Sequence, residues 1–456
     1  MSAVYEPAYD PARLAEIKRR EDVAFAEARP RSLDLWARAQ ASMPNGVPMS
    51  WLRSSYDHPP LFIAEGTGSR FRDVDGHEYT DFNIADMSMF GGYAAPPVVE
   101  AVARRASQGT QFMLPNEDGV WVAEELARRY GLPKWQFTLS ATHANTEAIR
   151  MARTLTGRDV VVMFDGKYHG HFDEALVELD ADGRLVPEEA GLPRDVTTRT
   201  RVVRFNDPDA LRAALEPRDV AIVLTEPTLT NNVGLLPPQP GFHDALRAIT
   251  RETGSVLAYD ETHTQVVGPG GLTGMWGLEP DVVTLGKSLA SGVPLGAYGM
   301  TEGVADVLER PGGRDDEKST VATGGTLFGN PLSMAAARAT LAEVLTEDAY
   351  EHTQKLGSRL ADGIETAIAS AALPWTTHRF WPRSGTTIAP QMPRDAAEGY
   401  ESLDVPLRRA MRVYMANRGI WDAIVGAGPT CPVPATEDDV DRYVDAYGSF
   451  LRELVG

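Results

Sequence analysis

Two ionisable residues close short apolar runs in the stretch 255–299. Asp260 ends Val256-Leu257-Ala258-Tyr259, and Lys287 follows Val282-Val283-Thr284-Leu285 after a single glycine. β-branched runs of this length between turn formers predict buried strands. In a parallel sheet, ligands bind outside the carboxyl ends of the strands. Asp260 and Lys287, 27 positions apart, are therefore expected to share one site. A buried carboxylate and a buried amine are both costly unless a ligand uses them.

Other predicted strand ends are equally polar: Ser140-Ala141-Thr142, Asp165-Gly166 and Glu226-Pro227. One ligand that would use this set is pyridoxal 5'-phosphate (PLP). Its aldehyde needs a lysine amine for a Schiff base, its pyridinium nitrogen a carboxylate, and its phosphate a helix N-terminus with hydroxyl donors. Lys287 is the candidate amine and Asp260 the candidate carboxylate. Ser140, Ala141 and Thr142, preceding a helix expected from Asn145, are the candidate phosphate cup, and Tyr168 offers an aromatic face to stack on the ring.

The elements that must position these residues alternate from Trp135 onward. Strands are expected at 135–139, 160–164, 200–204, 221–225, 255–259, 282–285 and 297–300, the last possibly antiparallel. Helices are expected at 145–156, 207–215 and 242–252. This alternation predicts an α/β fold with a mostly parallel, seven-stranded sheet between helices. Upstream, residues 11–41 show helical spacing, expected to pack on another domain or subunit, and Asp75-Gly76 marks a hairpin. Downstream, a long helix is expected over 332–346. Helices and weaker strands after it suggest a smaller α+β domain formed by both chain ends, with divisions at 1–84, 85–345 and 346–456.

Composition narrows the function classes. A net charge of -20 over 456 residues argues against nucleic-acid binding, and the lone Cys431 against a disulfide framework or a cysteine zinc site. No metal site is expected: His169 and His171 have no third ligand nearby. The N-terminal stretch lacks the apolar core of a signal peptide, and no window is long and apolar enough to span a bilayer, so a cytoplasmic protein is expected. Gly286-Lys287-Ser288 resembles the end of a P-loop, a remote ATPase alternative. That motif requires a glycine where Asp281 stands, and the acidic pair Asp260-Glu261 precedes the lysine rather than following it.

The ordered set Pro44-Asn45-Gly46-Val47, Asp73-Val74-Asp75-Gly76, 146–153, Tyr168-His169-Gly170, Glu226-Pro227, Asp260-Glu261, Leu285-Gly286-Lys287 and 325–331 resembles the class III, fold-type I aminotransferases, in particular their glutamate-1-semialdehyde 2,1-aminomutase-like branch. The resemblance runs from about Ser42 to the C-terminus. It implies that Lys287 carries the Schiff base and moves protons, and that Asp260 keeps the pyridine nitrogen protonated. Ala141 and Thr142 would bind phosphate within the chain, and Thr326 from the neighbouring subunit of a homodimer with shared active sites. Glu226 would lie beneath the cofactor, His169 beside it, and Arg53 near a substrate carboxylate. Met87 and Phe90 read as core ahead of substrate pocket; placed in a pocket with Trp51, they suggest a bulky or aromatic side chain.

Two departures stand out. Where the family usually reads Ser-Gly-Thr-Glu-Ala, this chain has Ser140-Ala141-Thr142-His143-Ala144. After Asp260-Glu261 it carries Thr262-His263-Thr264, and His263 becomes a candidate substrate residue. The activity expected is ping-pong transfer from an amino acid or amine to a keto acid or aldehyde. An intramolecular 2,1-aminomutase and a PLP-dependent epimerase are the alternatives.

Overall fold

The computed structural model describes residues 7–180, 182–309, 321–424 and 426–456. The chain forms two compact units. One comprises Met1–Ala95, Glu351–Met392 and Tyr400–Gly456; the other comprises Pro96–Tyr350 and Pro393–Gly399.

The second unit is built on a seven-stranded sheet. In chain order its strands are β1 (Lys134–Thr138), β2 (Val160–Phe164), β3 (Thr200–Val203), β4 (Val220–Thr225), β5 (Val256–Asp260), β6 (Val282–Leu285) and β7 (Gly296–Met300). Their spatial order is β1-β7-β6-β5-β4-β2-β3. Only β7 runs antiparallel to its neighbours. The sheet is buried on both faces, which explains why its strands read as continuous apolar runs rather than alternating ones. On one face Met163, Ile222, Leu224 and Ala258 pack with Ala144, Ala148 and Met151 of the helix Ala141–Thr156. On the other, Phe164, Val223, Leu257 and Tyr259 pack with Leu211, Leu215, Phe242 and Leu246.

Two boundaries differ from those expected. The helix expected at Asn145 opens four residues earlier, at Ala141, with Ser140 as its N-cap. The long helix expected over 332–346 is α-helical only over Pro331–Ala339 and then widens into a π-helical turn, Thr340–Val344.

In the first unit, the strands Ile63–Thr67, Arg70–Asp73 and Glu78–Asp81 form an antiparallel meander, with Ile420–Trp421 added parallel at its edge. The turn between the second and third strands contains Asp75-Gly76. The N-terminal helix Pro11–Glu27 packs within its own unit, against the helix Val405–Ala416. Leu14 and Ile17 thereby join a core with Leu360, Ile364, Tyr443 and Phe450. Among the described residues, no helix is long and apolar enough to cross a membrane.

Candidate active site

The parallel register places Asp260 opposite Thr284, three positions before Lys287. Beyond the strand ends, Gln265 ties the two loops together: its amide donates to the Thr262 carbonyl at 3.0 Å and to the Gly286 carbonyl at 2.9 Å. Lys287 opens a short 3-10 turn with φ +46, a left-handed conformation that costs a non-glycine residue about 1–2 kcal/mol. Strain of this kind persists only where surrounding structure enforces it, and it clusters at functional sites.

Asp260 is buried inside a set of donors. Asn145 Nδ2 reaches its Oδ2 at 2.8 Å, His169 Nδ1 lies 3.0 Å from the same oxygen, and the Thr262 backbone N–H reaches Oδ1 at 3.0 Å. Burial alone would raise this carboxyl; the hydrogen bonds to His169, Thr262 and Asn145 hold it below the usual carboxylate range. Asn145 is itself fixed, donating also to the His169 carbonyl at 2.8 Å and accepting from the Thr284 hydroxyl at 2.6 Å. The neighbouring Glu261 has a different task. It accepts the backbone N–H groups of Leu272 and Thr273 and the Thr264 hydroxyl, and burial raises its carboxyl. Of the acidic pair, Asp260 gathers the donors of Asn145, His169 and Thr262, and Glu261 anchors a loop.

The N-terminus of the helix Ala141–Thr156 is closely approached by glycine backbone. A Cβ on Gly170, where φ is +102, would lie 2.2 Å from Thr142 Oγ1, and one on Gly286 would lie 2.9 Å from the Ala141 Cβ. The alanine that replaces the family's glycine is thus accommodated by the absence of a side chain at 286. Ser140 Oγ caps the helix, accepting from the His143 N–H, and lies 3.1 Å from His143 Nδ1. His143 is exposed, its ring 5.4 Å from that of Phe328.

Glu226 leaves β4 beside Asp260, since Thr225 pairs with Tyr259. Its Oε2 accepts from the Thr230 hydroxyl at 2.8 Å, and that hydroxyl lies 3.0 Å from His263 Nδ1. All three side chains are buried. Tyr168 is half-buried, between the buried Lys167 and His169. Thr326 is exposed, its carbonyl accepting from Gln111.

The structure therefore assembles Asp260, His169, Glu226 and His263, with Lys287 and Ser140 to Thr142, at the carboxyl edge of one sheet. Arg53 and Trp51 belong to the other unit. There the Arg53 guanidinium donates to the Tyr56 carbonyl at 2.9 Å and lies 5.6 Å from the centre of the Trp36 ring. Met87 and Phe90, for which a place in the core was the stronger expectation, are both buried. Asn145, Thr284 and Thr230 were missed. The only available signal was the placement of Asn145 one helical turn after the Ser140 cap.

These residues fit PLP. Among the described residues His169 Nε2 is buried without a hydrogen-bond partner, Asp260 is a carboxylate held in its charged form, and the helix N-terminus offers N–H groups and hydroxyls to an anion. The sequence profile for aminotransferase class-III matches residues 52–397. A glutamate-1-semialdehyde 2,1-aminomutase from Staphylococcus carnosus is 32% identical over 93% of this chain and 98% of its own. The crystal structure of a glutamate-1-semialdehyde-aminomutase from Pseudomonas aeruginosa PAO1 superposes with a TM-score of 0.92 at 40% identity, covering 98% of this chain and 99% of that one. A variant of it with one lysine replaced by alanine was solved in complex with PMP. An omega-transaminase from Sphaerobacter thermophilus has a TM-score of 0.86 at 31% identity, covering 93% and 98%.

Proposed function

This chain belongs to the class III, PLP-dependent aminotransferase family, and from that premise we propose that it moves an amino group within one carboxylate-bearing substrate, as a 2,1-aminomutase. The observation that carries this reading is the likeness, at 32% and 40% identity over nearly the whole chain, to proteins named glutamate-1-semialdehyde aminomutases. Intermolecular transfer to a keto acid, the activity expected from the sequence, is the second reading, favoured by the likeness to the omega-transaminase.

Both readings use the same groups. Bound PLP supplies the sink for the electron pair left on the substrate carbon when its proton departs. Ser140, Ala141 and Thr142 hold the phosphate with the helix N-terminus behind them. Asp260, ionised by its hydrogen bonds, keeps a proton on the ring nitrogen, and Asn145 and His169 fix its orientation. Lys287 would be the amine that holds the cofactor, and its free nitrogen would take up and hold the proton that leaves the substrate carbon. Tyr168 covers the ring.

A homodimer is part of this proposal. Phe112, Met113 and Leu114 are 54%, 72% and 68% exposed, and Leu327, beside Thr326, is 51% exposed. Such grouped apolar exposure supports an interface here, and a second copy covering it would bring Thr326 to the neighbouring site.

The test is to load the purified protein with PLP and supply glutamate-1-semialdehyde alone. Formation of its amino-shifted isomer without any keto acid is expected. Turnover only when an α-, β- or D-amino acid or an amine is paired with pyruvate or 2-oxoglutarate would replace the mutase with a transaminase.

A further inference from the structure

The turn that carries Lys287 is left-handed at both ends. Lys287 opens it with φ +46, and Ser291 closes it with φ +46 and ψ +50. Neither residue is glycine, and such backbone persists in other residues only where their neighbours enforce it. At the amino end that neighbour is Gln265, whose amide donates to the Gly286 carbonyl at 2.9 Å. At the carboxyl end it is the helix Pro331–Ala339 with its π-helical continuation. A 3.0 Å hydrogen bond joins the hydroxyls of Thr340 and Ser291, and the Ser333 hydroxyl donates to the Pro294 carbonyl at 2.8 Å. Ser333 and Thr340 are both buried and stand seven positions apart, two helical turns, so one face of the helix grips the segment 291–294 at two points.

Thr340 is also where that helix changes pitch. The Leu345 N–H donates to the Thr340 carbonyl at 2.8 Å, five residues back instead of four. The carbonyls of Leu341 and Leu345, at the end of the widened turn, accept from Arg129 Nη2 at 2.7 and 3.2 Å, and Arg129 is itself held by Glu125 at 2.7 Å. Single π-helical turns are frequent at functional sites, and this one begins at the residue that reaches the lysine's turn.

We propose that Thr340 is a positioning residue for Lys287: through Ser291 it holds the carboxyl end of the lysine's turn, so that the amine is presented from a fixed left-handed backbone. The proposal rests on the reading that Lys287 holds PLP. An amine that must both hold a cofactor and carry a proton has to be placed closely, since a misplacement of about 1 Å is enough to slow a reaction.

The Thr340 hydroxyl also lies 2.8 Å from the Ala336 carbonyl of its own helix, so the test must separate the tether from helix stability. A double-mutant cycle does so. In the PLP-loaded protein, Thr340→Val should lower kcat by about fivefold on whichever substrate the protein turns over, the scale of one hydrogen bond. KM should hold, and the pH midpoint of the visible absorption should move by about half a pH unit. Thr340→Ser should do neither. Ser291→Gly takes the left-handed backbone without a tether, and on that background Thr340→Val should have no effect. In the PLP-free protein, hydrogen exchange at the N–H groups of Leu289, Ser291 and Val293, which are bonded within this segment, should quicken about fivefold in Thr340→Val and stay unchanged in Thr340→Ser. Ser291→Ala keeps the strained backbone and removes the hydroxyl; it should reproduce every effect of Thr340→Val, and it stands in for that variant if Thr340→Val does not fold. An equal loss in Thr340→Val on both backgrounds, or an unmoved kcat and midpoint in Ser291→Ala, overturns the proposal. Failure of the unaltered protein to develop visible absorption with PLP overturns the cofactor reading instead, and the exchange rates then decide the tether alone.

Discussion

His169 Nδ1 and Asp260 Oδ2 lie 3.0 Å apart, both side chains buried, and Asn145 reaches the same oxygen from the opposite element. This pairing sets the charge of Asp260, because burial works against the carboxylate and the hydrogen bonds restore it. His169→Phe removes the largest of the opposing contributions. Each hydrogen bond to a charged group is worth about 1.5–3 kcal/mol, so kcat should fall by roughly 10- to 100-fold with PLP still bound. Asp260→Asn should lose at least about 100-fold. Normal turnover in Asp260→Asn would remove the carboxylate from the chemistry.

Lys287→Ala should abolish both turnover and the visible absorption of the PLP-loaded protein, while the far-ultraviolet circular dichroism stays native. The substitution also replaces one left-handed residue by another, so the backbone strain at φ +46 remains and folding is not the variable. Retention of the absorption would mean that another amine holds the cofactor.

Gly170→Ala should cost cofactor affinity out of proportion to its size. The new Cβ would meet Thr142 Oγ1 and backbone at 2.2 and 2.9 Å, where φ is already +102. Gly157→Ala is the control: it is also left-handed, at φ +68, but among the described residues nothing lies within 4 Å of a Cβ placed there. Both should lose about 1 kcal/mol of stability from backbone strain. Only Gly170→Ala should raise the PLP dissociation constant, by roughly tenfold or more, a factor equivalent to about 1.4 kcal/mol. Equal PLP affinity in the two variants would separate Thr142 from the phosphate.

Met113→Asp should dissociate the expected homodimer, seen by sedimentation, and weaken PLP binding as Thr326 leaves the neighbouring site. Its flanks Phe112 and Leu114 are exposed as well, so a charge here disturbs contact with a second copy and leaves the core of the chain intact. A monomer that binds PLP equally well before and after the substitution would sink the shared site.

Asp260 and Lys287 were legible because β-branched runs bounded by turn formers mark buried strands, and the ends of such strands are known without coordinates. The helix start was not. Ser140 caps the helix, but His143 stands where a capping box would place Glu or Gln, so the opening turn carried no second signal. Asn145 was hidden for a different reason: its value lies in bridging Asp260 and Thr284, residues 115 and 139 positions away, a consequence of strand order. The π-helical turn at Thr340–Val344, Thr-Leu-Ala-Glu-Val, has no marker that sets it apart from an α-helical turn. Met87 and Phe90 could be assigned to the core ahead of a pocket wall only on general grounds, because apolar type alone does not separate the two.

His243 makes stability depend on pH in the mildly acidic range. Its Nε2 lies 2.8 Å from the Pro227 carbonyl, which only accepts, so Nε2 carries the proton and Nδ1 accepts from the Tyr259 hydroxyl at 2.8 Å. Burial drops the ring from its ordinary 6.5 to about 4. Between those values the unfolded chain binds a proton that the folded chain does not, so stability rises with pH across the window. Its contribution is complete above about pH 6.5 and is lost as pH falls towards 4. A shift of this size corresponds to about 3 kcal/mol for a fully shielded ring, and less here because the ring is half-buried. His243→Gln, which can still donate to the Pro227 carbonyl, should therefore flatten the slope of unfolding free energy against pH between 6.5 and 4, measured by urea denaturation at half-unit steps. The loop it clamps begins at Pro227, next to Glu226, so the same titration should loosen the Glu226–Thr230 end of the site. An unchanged slope in His243→Gln would place the acid sensitivity elsewhere, at the buried His58 or His378, whose rings are also lowered to about 4.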